Sequence, residues 1–476
     1  MRAVTDATAT FLDALRETLP ADALSCDSQD LAYYGSDRCK GGWPVAPCAI
    51  AWPRSVEQVQ DLMRVCQKHR VRVVPSGGRT GLAGAATATQ GELVVSFDKM
   101  RKVLEVNPSD RWVRAQAGAT IEAIDSAARE VGLFYPVDWA ATGTAQVGGS
   151  IATNAGGIRV LRYGLTRQWV RGLKVVLANG DLLELDGGVI KDNTGYDLRQ
   201  LFVGSEGTLG LIVEATMGLE RPPAGRVVAL CSLPTDGALL ALLERLRSAS
   251  LTLSAFECFE AGCVARVLEH KGSEGRGPFE RLGVQHAVVE VEFADPGRAE
   301  ETYDELALCL ADAQEAGEIE DAVLAANDSQ ASALWAWRED ISESLHPYTP
   351  HKADVCLPIS KLVPFMRTWR AAVAEALPQI EARCFGHVGD GNLHLNMLRP
   401  EGMELEDFLE RCHGFDPTLY SLVQAHGGSI SAEHGIGLLK RDYLHYRRGD
   451  AELSTMRALK AALDPQGLMN PGKIFE

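Results

Sequence analysis

Glycine constrains this chain more than any other residue. Between Pro47 and Glu220, short β-branched runs at residues 71–74, 93–97, 173–177 and 211–215 alternate with helical patterns at 56–69 and 120–131. Glycine-rich stretches are threaded between them. The first is Val71-Arg72-Val73-Val74-Pro75-Ser76-Gly77-Gly78-Arg79-Thr80-Gly81-Leu82-Ala83-Gly84. The second is Pro136-Val137-Asp138-Trp139, continuing from Gly143-Thr144-Ala145-Gln146-Val147-Gly148-Gly149 through Thr153-Asn154-Ala155-Gly156-Gly157. The third runs from Lys191 to Leu198 and on through Gly204-Ser205-Glu206-Gly207-Thr208-Leu209-Gly210. So many small residues in one region cannot build a good apolar core alone; a large ligand must fill the space they leave. The first stretch reads as a strand entering a turn whose successive N–H groups form a nest for phosphate. No Gly-Lys-Ser/Thr follows, so it is not a P-loop. Gly-x-Gly-x-x-Gly is absent, which disfavours a nicotinamide cofactor in a Rossmann domain.

At 476 residues the chain exceeds the size at which one core keeps growing, so two or three domains are expected. A formal charge of −17 argues against nucleic acid or an anionic membrane as partner. It also means that an anionic substrate needs a locally basic site. No apolar run approaches the roughly 18 residues of a membrane span. The N-terminus, with Asp6, Asp13 and Glu17, reads as an amphipathic helix and not a secretory signal. Eleven scattered cysteines without Cys-x-x-Cys suit a reducing cytoplasm and argue against a disulfide framework, zinc ribbon or iron–sulfur cluster.

Residues 1–45 form a helical lead-in and polar loop, broken at Tyr33-Tyr34-Gly35-Ser36-Asp37. Pro222-Pro223-Ala224-Gly225 marks a boundary. Beyond it, strands at 226–232 and 287–293 alternate with helices at 236–248 and 298–316, the texture of an α+β module. A helix around 329–345 and a hairpin at 387–396 follow, then a helix at 451–463 ahead of Asp464-Pro465 and Asn470-Pro471-Gly472.

The hairpin, Gly386-His387-Val388-Gly389-Asp390-Gly391-Asn392-Leu393-His394-Leu395-Asn396, carries the densest chemistry. Asp-Gly between apolar residues signals a tight turn. With residues 389–392 as the loop, His387 stands opposite His394, close enough for both imidazoles to reach one cation. Asn396 projects from the same face. In Ser431-Ala432-Glu433-His434-Gly435, Glu433 supplies an oxygen ligand and leaves His434 for proton transfer. The plainer alternative is a set of separate, hydrogen-bonded core residues.

Leu334-Trp335-Ala336-Trp337-Arg338-Glu339-Asp340-Ile341-Ser342 reads as helical, which puts Arg338 and Ser342 on one face. Lys352 follows in His351-Lys352-Ala353-Asp354. A guanidinium and an ammonium aimed at one pocket suit a dianionic substrate. A solvated Arg-Glu helix face is the bland reading.

Taken in order, these motifs resemble the vanillyl-alcohol oxidase/p-cresol methylhydroxylase superfamily of flavoproteins. Within it they are most similar to the D-2-hydroxyacid dehydrogenase branch, above all its members that oxidise D-2-hydroxyglutarate. The resemblance covers residues 45–476. It implies an α+β fold: an FAD-binding domain of two α/β subdomains at 46–222, and a cap domain on an antiparallel sheet flanked by helices at 223–450. Residues 451–476 would return to the FAD domain. By matching position, Pro75, Gly77, Gly78, Thr80 and Gly81 fall on the pyrophosphate loop, with Arg79 where asparagine is common. Pro136, Asp138, Gly143, Thr144, Gly148, Gly149, Thr153 and Asn154 fall on the segment along the flavin ring and ribityl chain. Gly157, Arg159 and Gly164 continue that wall; Gly210 and Ile212 mark the adenine end, and Asn470 the returning segment.

Many superfamily members bind flavin covalently through His or Cys. Here only His69, and no cysteine, lies between Lys68 and Cys231, so FAD is expected to be held non-covalently. The resemblance also implies that Arg338, Ser342 and Lys352 hold a distal carboxylate and that Asn396 holds the proximal one. His434 would serve as general base and substrate contact, and His387, His394 and Glu433 as ligands of a divalent metal, zinc or a similar ion. Ser342 replaces a usual threonine, and His351 and Ala353 replace tyrosines that often flank the lysine. The implied reaction oxidises D-2-hydroxyglutarate to 2-oxoglutarate, hydride passing from C2 to flavin N5 and electrons onward to an electron-transfer flavoprotein or quinone. Other D-2-hydroxyacids (D-lactate, D-malate, glycolate), a flavin-binding subunit without turnover, and a homodimer stay open.

Overall fold

The computed structural model of the chain describes residues 6–39, 41–185, 188–272 and 277–475; the first five residues of the expected lead-in lie outside it. The chain divides into two units. The first comprises Met1–Gly157, Gly164–Arg221 and Glu433–Glu476; the second comprises Ile158–Tyr163 and Pro222–Ala432.

Two sheets organise the first unit. Strands β1 (Leu24–Ser25), β2 (Ala49–Ala51), β3 (Val73–Ser76) and β4 (Leu93–Ser96) lie in the order β1-β2-β4-β3, with β2, β4 and β3 parallel. Parallel strands are normally covered on both faces, and β2 and β4 are buried at every position. The crossover from β2 to β3 runs through the helix Val56–His69, whose Ser55 cap accepts from the Gln58 N–H and whose face of Val59, Leu62, Met63 and Cys66 is buried. Strands β5 (Val103–Asn107), β6 (Trp112–Gln116), β7 (Val170–Val176), β8 (Leu182–Glu184) and β9 (Leu211–Gly218) make an antiparallel sheet ordered β5-β6-β9-β7-β8. The glycine-rich stretches leave these strands: residues 77–84 follow β3, and residues 204–210 lead into β9.

One antiparallel sheet of seven strands forms the second unit. Its strands are β10 (Gly225–Leu233), β11 (Thr252–Glu260), β12 (Gln285–Phe293), β13 (Asp321–Leu324), β14 (His351–Cys356), β15 (Glu381–His387) and β16 (Asn392–Leu398), ordered β13-β10-β12-β11-β15-β16-β14. The helix Asp328–Glu339 packs Leu334 and Trp335 into a core with Val228, Leu230, Phe259, Val288 and Phe385 from the sheet. Its continuation needs correction. The helix ends at Asp340, and a separate short helix, Ile341–Ser344, follows, so Arg338 is buried whereas Ser342 is exposed. The two do not share one environment.

His286 on β12 is fully buried, stacked on Phe259 at 5.4 Å and Phe279 at 5.9 Å. Desolvation pulls its pKa from 6.5 down to about 4. Between those values the unfolded chain takes up a proton that the folded chain refuses. The stability this group supports is therefore intact above the unfolded value and lost as pH falls toward 4, on the order of 3 kcal/mol. Thermal midpoints at pH 7.5 and 4.5 should differ less in His286→Phe than in the wild type; an equal acid-induced fall in both would discard this account.

Candidate functional site

In the first unit, an open cleft with ≈930 Å³ of empty space, solvent at its mouth included, is lined by the loop after β3 and by the helix Val147–Thr153. Pro75, Gly77, Gly78, Arg79, Thr80, Gly81, Gly148, Gly149, Thr153, Gly210 and Ile212 all line it. Among the described residues, the N–H groups of residues 77–81 find no backbone or side-chain acceptor, which leaves a run of donors for an anion. Gly78 is obligatory for packing, because a Cβ there would sit 2.0 Å from the Thr144 carbonyl oxygen. Gly149 is different: a Cβ would meet nothing within 4 Å and would project into open space. Arg79, at φ 57°, donates to the Gly77 carbonyl at 3.0 Å and lies over the rings of Tyr33 and Tyr34.

Other expected cofactor contacts do not line the cleft. Asn154 caps the helix Val147–Thr153, its side chain accepting from the Arg167 N–H at 2.9 Å. Gly157 stands against the Asp138 carbonyl. Pro136, Gly143, Thr144 and Gly164 also lie outside the lining. Arg159 belongs to the second unit, where its guanidinium pairs with Glu290 at 2.8 Å. Asn470 donates to the carbonyls of Ala85 and Glu206, tying the C-terminal segment into the first unit. Sequence reading missed Asp37, Gln146 and Glu206 in the lining. Glu206 is buried, and desolvation raises its pKa to about 6. Its carboxylate accepts the N–H groups of Ile436 at 2.7 Å and Gly437 at 2.8 Å, fixing the backbone just beyond Glu433 and His434.

In the second unit the hairpin forms, with a corrected register. His387 pairs with Asn392 and Phe385 with His394, so residues 388–391 are the loop. The slip is two residues, which in a strand keeps every side chain on its face. The imidazoles are therefore diagonal neighbours, and they still meet, with Nε2 atoms 3.2 Å apart. Each Nδ1 is backed by a carboxylate: Glu257 on β11 lies 2.6 Å from His387 and Asp354 on β14 lies 3.4 Å from His394. Two ligands at about 2.0–2.1 Å from one tetrahedral ion stand about 3.3 Å apart, and carboxylates behind the other ring nitrogens are the usual support for metal-binding histidines. Burial lowers the His394 pKa to about 4, keeping the ring neutral at working pH.

The same sheet face carries the basic groups. Lys352 is directly opposite Asn396, and Asp354 directly opposite His394. Lys352 reaches solvent without an ion pair among the described residues, while surrounding protein lowers its pKa by desolvation. Arg338 donates from Nε to Glu257 at 2.9 Å and lies 4.7 Å over the Phe385 ring. Glu257 thus joins Arg338 to His387; burial opposes its charge, but the His387 ring and the Arg338 guanidinium beside it hold its pKa below the usual carboxylate value. Asn396 donates to the His394 carbonyl at 3.2 Å. Ser429 bridges Cys356, and the Ala432 N–H donates to Asp354 at 3.2 Å, one residue before Glu433. Glu257 and Asp354 were legible only as lone carboxylates inside apolar strands, a pattern that marks a buried charge with a partner.

Residues 222–474 match the family described as FAD linked oxidases, C-terminal domain, and residues 47–186 match an FAD binding domain. The chain belongs to the FAD-linked oxidases. Like them it is an oxidoreductase with an FAD-binding domain. It is 45% identical over 469 residues, 98% of each chain, to D-2-hydroxyglutarate dehydrogenase of Stutzerimonas stutzeri (strain A1501). It is 36% identical to mitochondrial D-2-hydroxyglutarate dehydrogenase of Bos taurus, over 89% of this chain and 76% of that one. The fold is shared with p-cresol methylhydroxylase: TM-score 0.76 at 16% identity, covering 99% and 98% of the two chains. For an FAD-linked oxidase the cleft has fitting chemistry. Ser76 Oγ and Gln146 Oε1 are buried there without a partner among the described residues, and Gly149 leaves room for a flat group.

Proposed function

We propose that the chain oxidises D-2-hydroxyglutarate to 2-oxoglutarate, using non-covalent FAD and a divalent metal, zinc by preference. The observation that carries this reading is the carboxylate-backed imidazole pair on one sheet face with Lys352, Asn396 and Arg338. The full-length relatives that bear this activity in their names support it.

FAD, when bound along Gly77–Gly81 and Gly149, supplies the acceptor for the C2 hydride; the ion supplies Lewis acidity toward the substrate's hydroxyl and proximal carboxylate. His387, His394 and Glu433 would hold that ion. Lys352, with the Arg338 guanidinium, holds the distal carboxylate. The Asn396 amide orients the proximal one. His434 takes the hydroxyl proton on a ring nitrogen as the C2–H bond breaks. Glu206 fixes the loop after it by accepting two N–H groups. Electrons then leave to a separate acceptor, an electron-transfer flavoprotein or a quinone. The eleven scattered cysteines suit a cytoplasmic setting, and among the described residues no helix is long and apolar enough to cross a membrane.

The test is Lys352→Met, assayed by anaerobic flavin bleaching with D-2-hydroxyglutarate and D-lactate. A charged hydrogen bond is worth about 1.5–3 kcal/mol, so kcat/KM for the dicarboxylate should fall about 10–100-fold and that for D-lactate should hardly change. Equal losses on both substrates would reject the distal-carboxylate role. Flavin attachment has its own check. The cleft lining contains neither histidine nor cysteine, so acid precipitation should release all the yellow colour to the supernatant; colour kept in the pellet would mean a covalent bond.

A further inference from the structure

A second group of metal-ligating side chains lies in the second unit, away from the imidazole pair. His351 precedes Lys352 on β14 and therefore points to the opposite face of the sheet. There it meets the helix Leu405–Ala425, which presents His413 and Asp416, three residues apart, on one side. His351 Nε2 lies 2.9 Å from Asp416 Oδ1, and His413 Nδ1 lies 3.2 Å from Asp416 Oδ2. One ligand atom from each residue falls within 4.8 Å of the others, and the two rings stand perpendicular at 5.0 Å. Asp416 and His351 are largely enclosed while the His413 side chain is 55% exposed, so the cluster has a built floor and an open mouth. Pro417 removes the N–H that would bond the His413 carbonyl, loosening the helix in the turn that carries both ligands.

We propose that His351, His413 and Asp416 bind a second divalent cation of the zinc class. Two imidazoles and one carboxylate are a zinc donor set, and the exposed side leaves a fourth position for water. Such an ion clamps the helix Leu405–Ala425 to the strand that carries Lys352 and Asp354 on its other face. It touches neither the proposed substrate groups nor the FAD cleft, so its contribution is to stability: it binds the folded chain and raises its thermal midpoint.

The experiment strips the FAD-loaded protein with a chelator, dialyses it against low-micromolar zinc and counts bound zinc per chain by elemental analysis. His413→Ala should bind one zinc fewer than the wild type, keep wild-type turnover and lose the zinc-dependent rise in thermal midpoint that His387→Ala retains. Unchanged zinc content in His413→Ala overturns the proposal. The proposed catalytic ion is read separately, because its failure would appear as unchanged zinc content in His387→Ala.

Discussion

His387→Ala should lower turnover of D-2-hydroxyglutarate by about a thousandfold or more while FAD stays bound. Lewis-acid stabilisation of developing charge is worth several kcal/mol, and each 1.36 kcal/mol is a factor of ten in rate. The flavin should be unaffected because every residue lining the cleft belongs to the first unit, whereas His387 belongs to the second. Removing the imidazole leaves Glu257 paired with Arg338, so the loss should register in chemistry before stability. A strong chelator should reproduce it, and restored zinc should reverse it in the wild type alone. Full turnover by metal-free protein, measured as flavin bleaching under anaerobic conditions, would end the metal assignment.

Glu257→Gln should have the largest effect on stability of any single change at the site. The carboxylate is fully buried and accepts from Arg338 Nε at 2.9 Å on one oxygen, with His387 Nδ1 2.6 Å from the other. Glutamine keeps the shape but offers one acceptor to two donors and leaves the guanidinium unpaired. Breaking a buried ion pair on one side costs about 3–5 kcal/mol. Loss of the group behind a metal-binding histidine typically weakens metal binding about 10–100-fold. Thermal unfolding and zinc dialysis on the same preparation measure both. A variant with wild-type midpoint and wild-type zinc affinity would show that Glu257 neither balances Arg338 nor supports His387.

Much of the site could be read from residue order. The turn after β3 was legible because glycine, serine and threonine there leave N–H groups with nothing else to bond, and all of residues 77–81 line the cleft. The hairpin was legible from Asp390-Gly391, and its register error of two residues was harmless because side-chain direction repeats every two residues. The helix carrying Arg338 was misread beyond Asp340, since Ile341-Ser342-Glu343-Ser344 has helical propensity of its own and nothing in that string marks a break. Residue order could not show that Asn154 Oδ1 accepts from the Arg167 N–H, that Gly157 packs against the Asp138 carbonyl, or that the Asn470 amide donates to Ala85 and Glu206. A motif identifies the neighbourhood; hydrogen bonding decides which member faces inward.

Local sequence determined the elements whose causes are local: the anion-binding turn, the hairpin, the capped helices and the alternation that puts His387, His394 and Asn396 on one face. Tertiary structure alone decided which distant charges meet. Glu257 reaches His387 from 130 positions away and Arg338 from 81, and Asp354 comes to His394 from a strand that enters the sheet out of order. The physical reason is that burial of a charge is tolerated only with a partner, and the partner is chosen by strand order, which no spacing along the chain encodes.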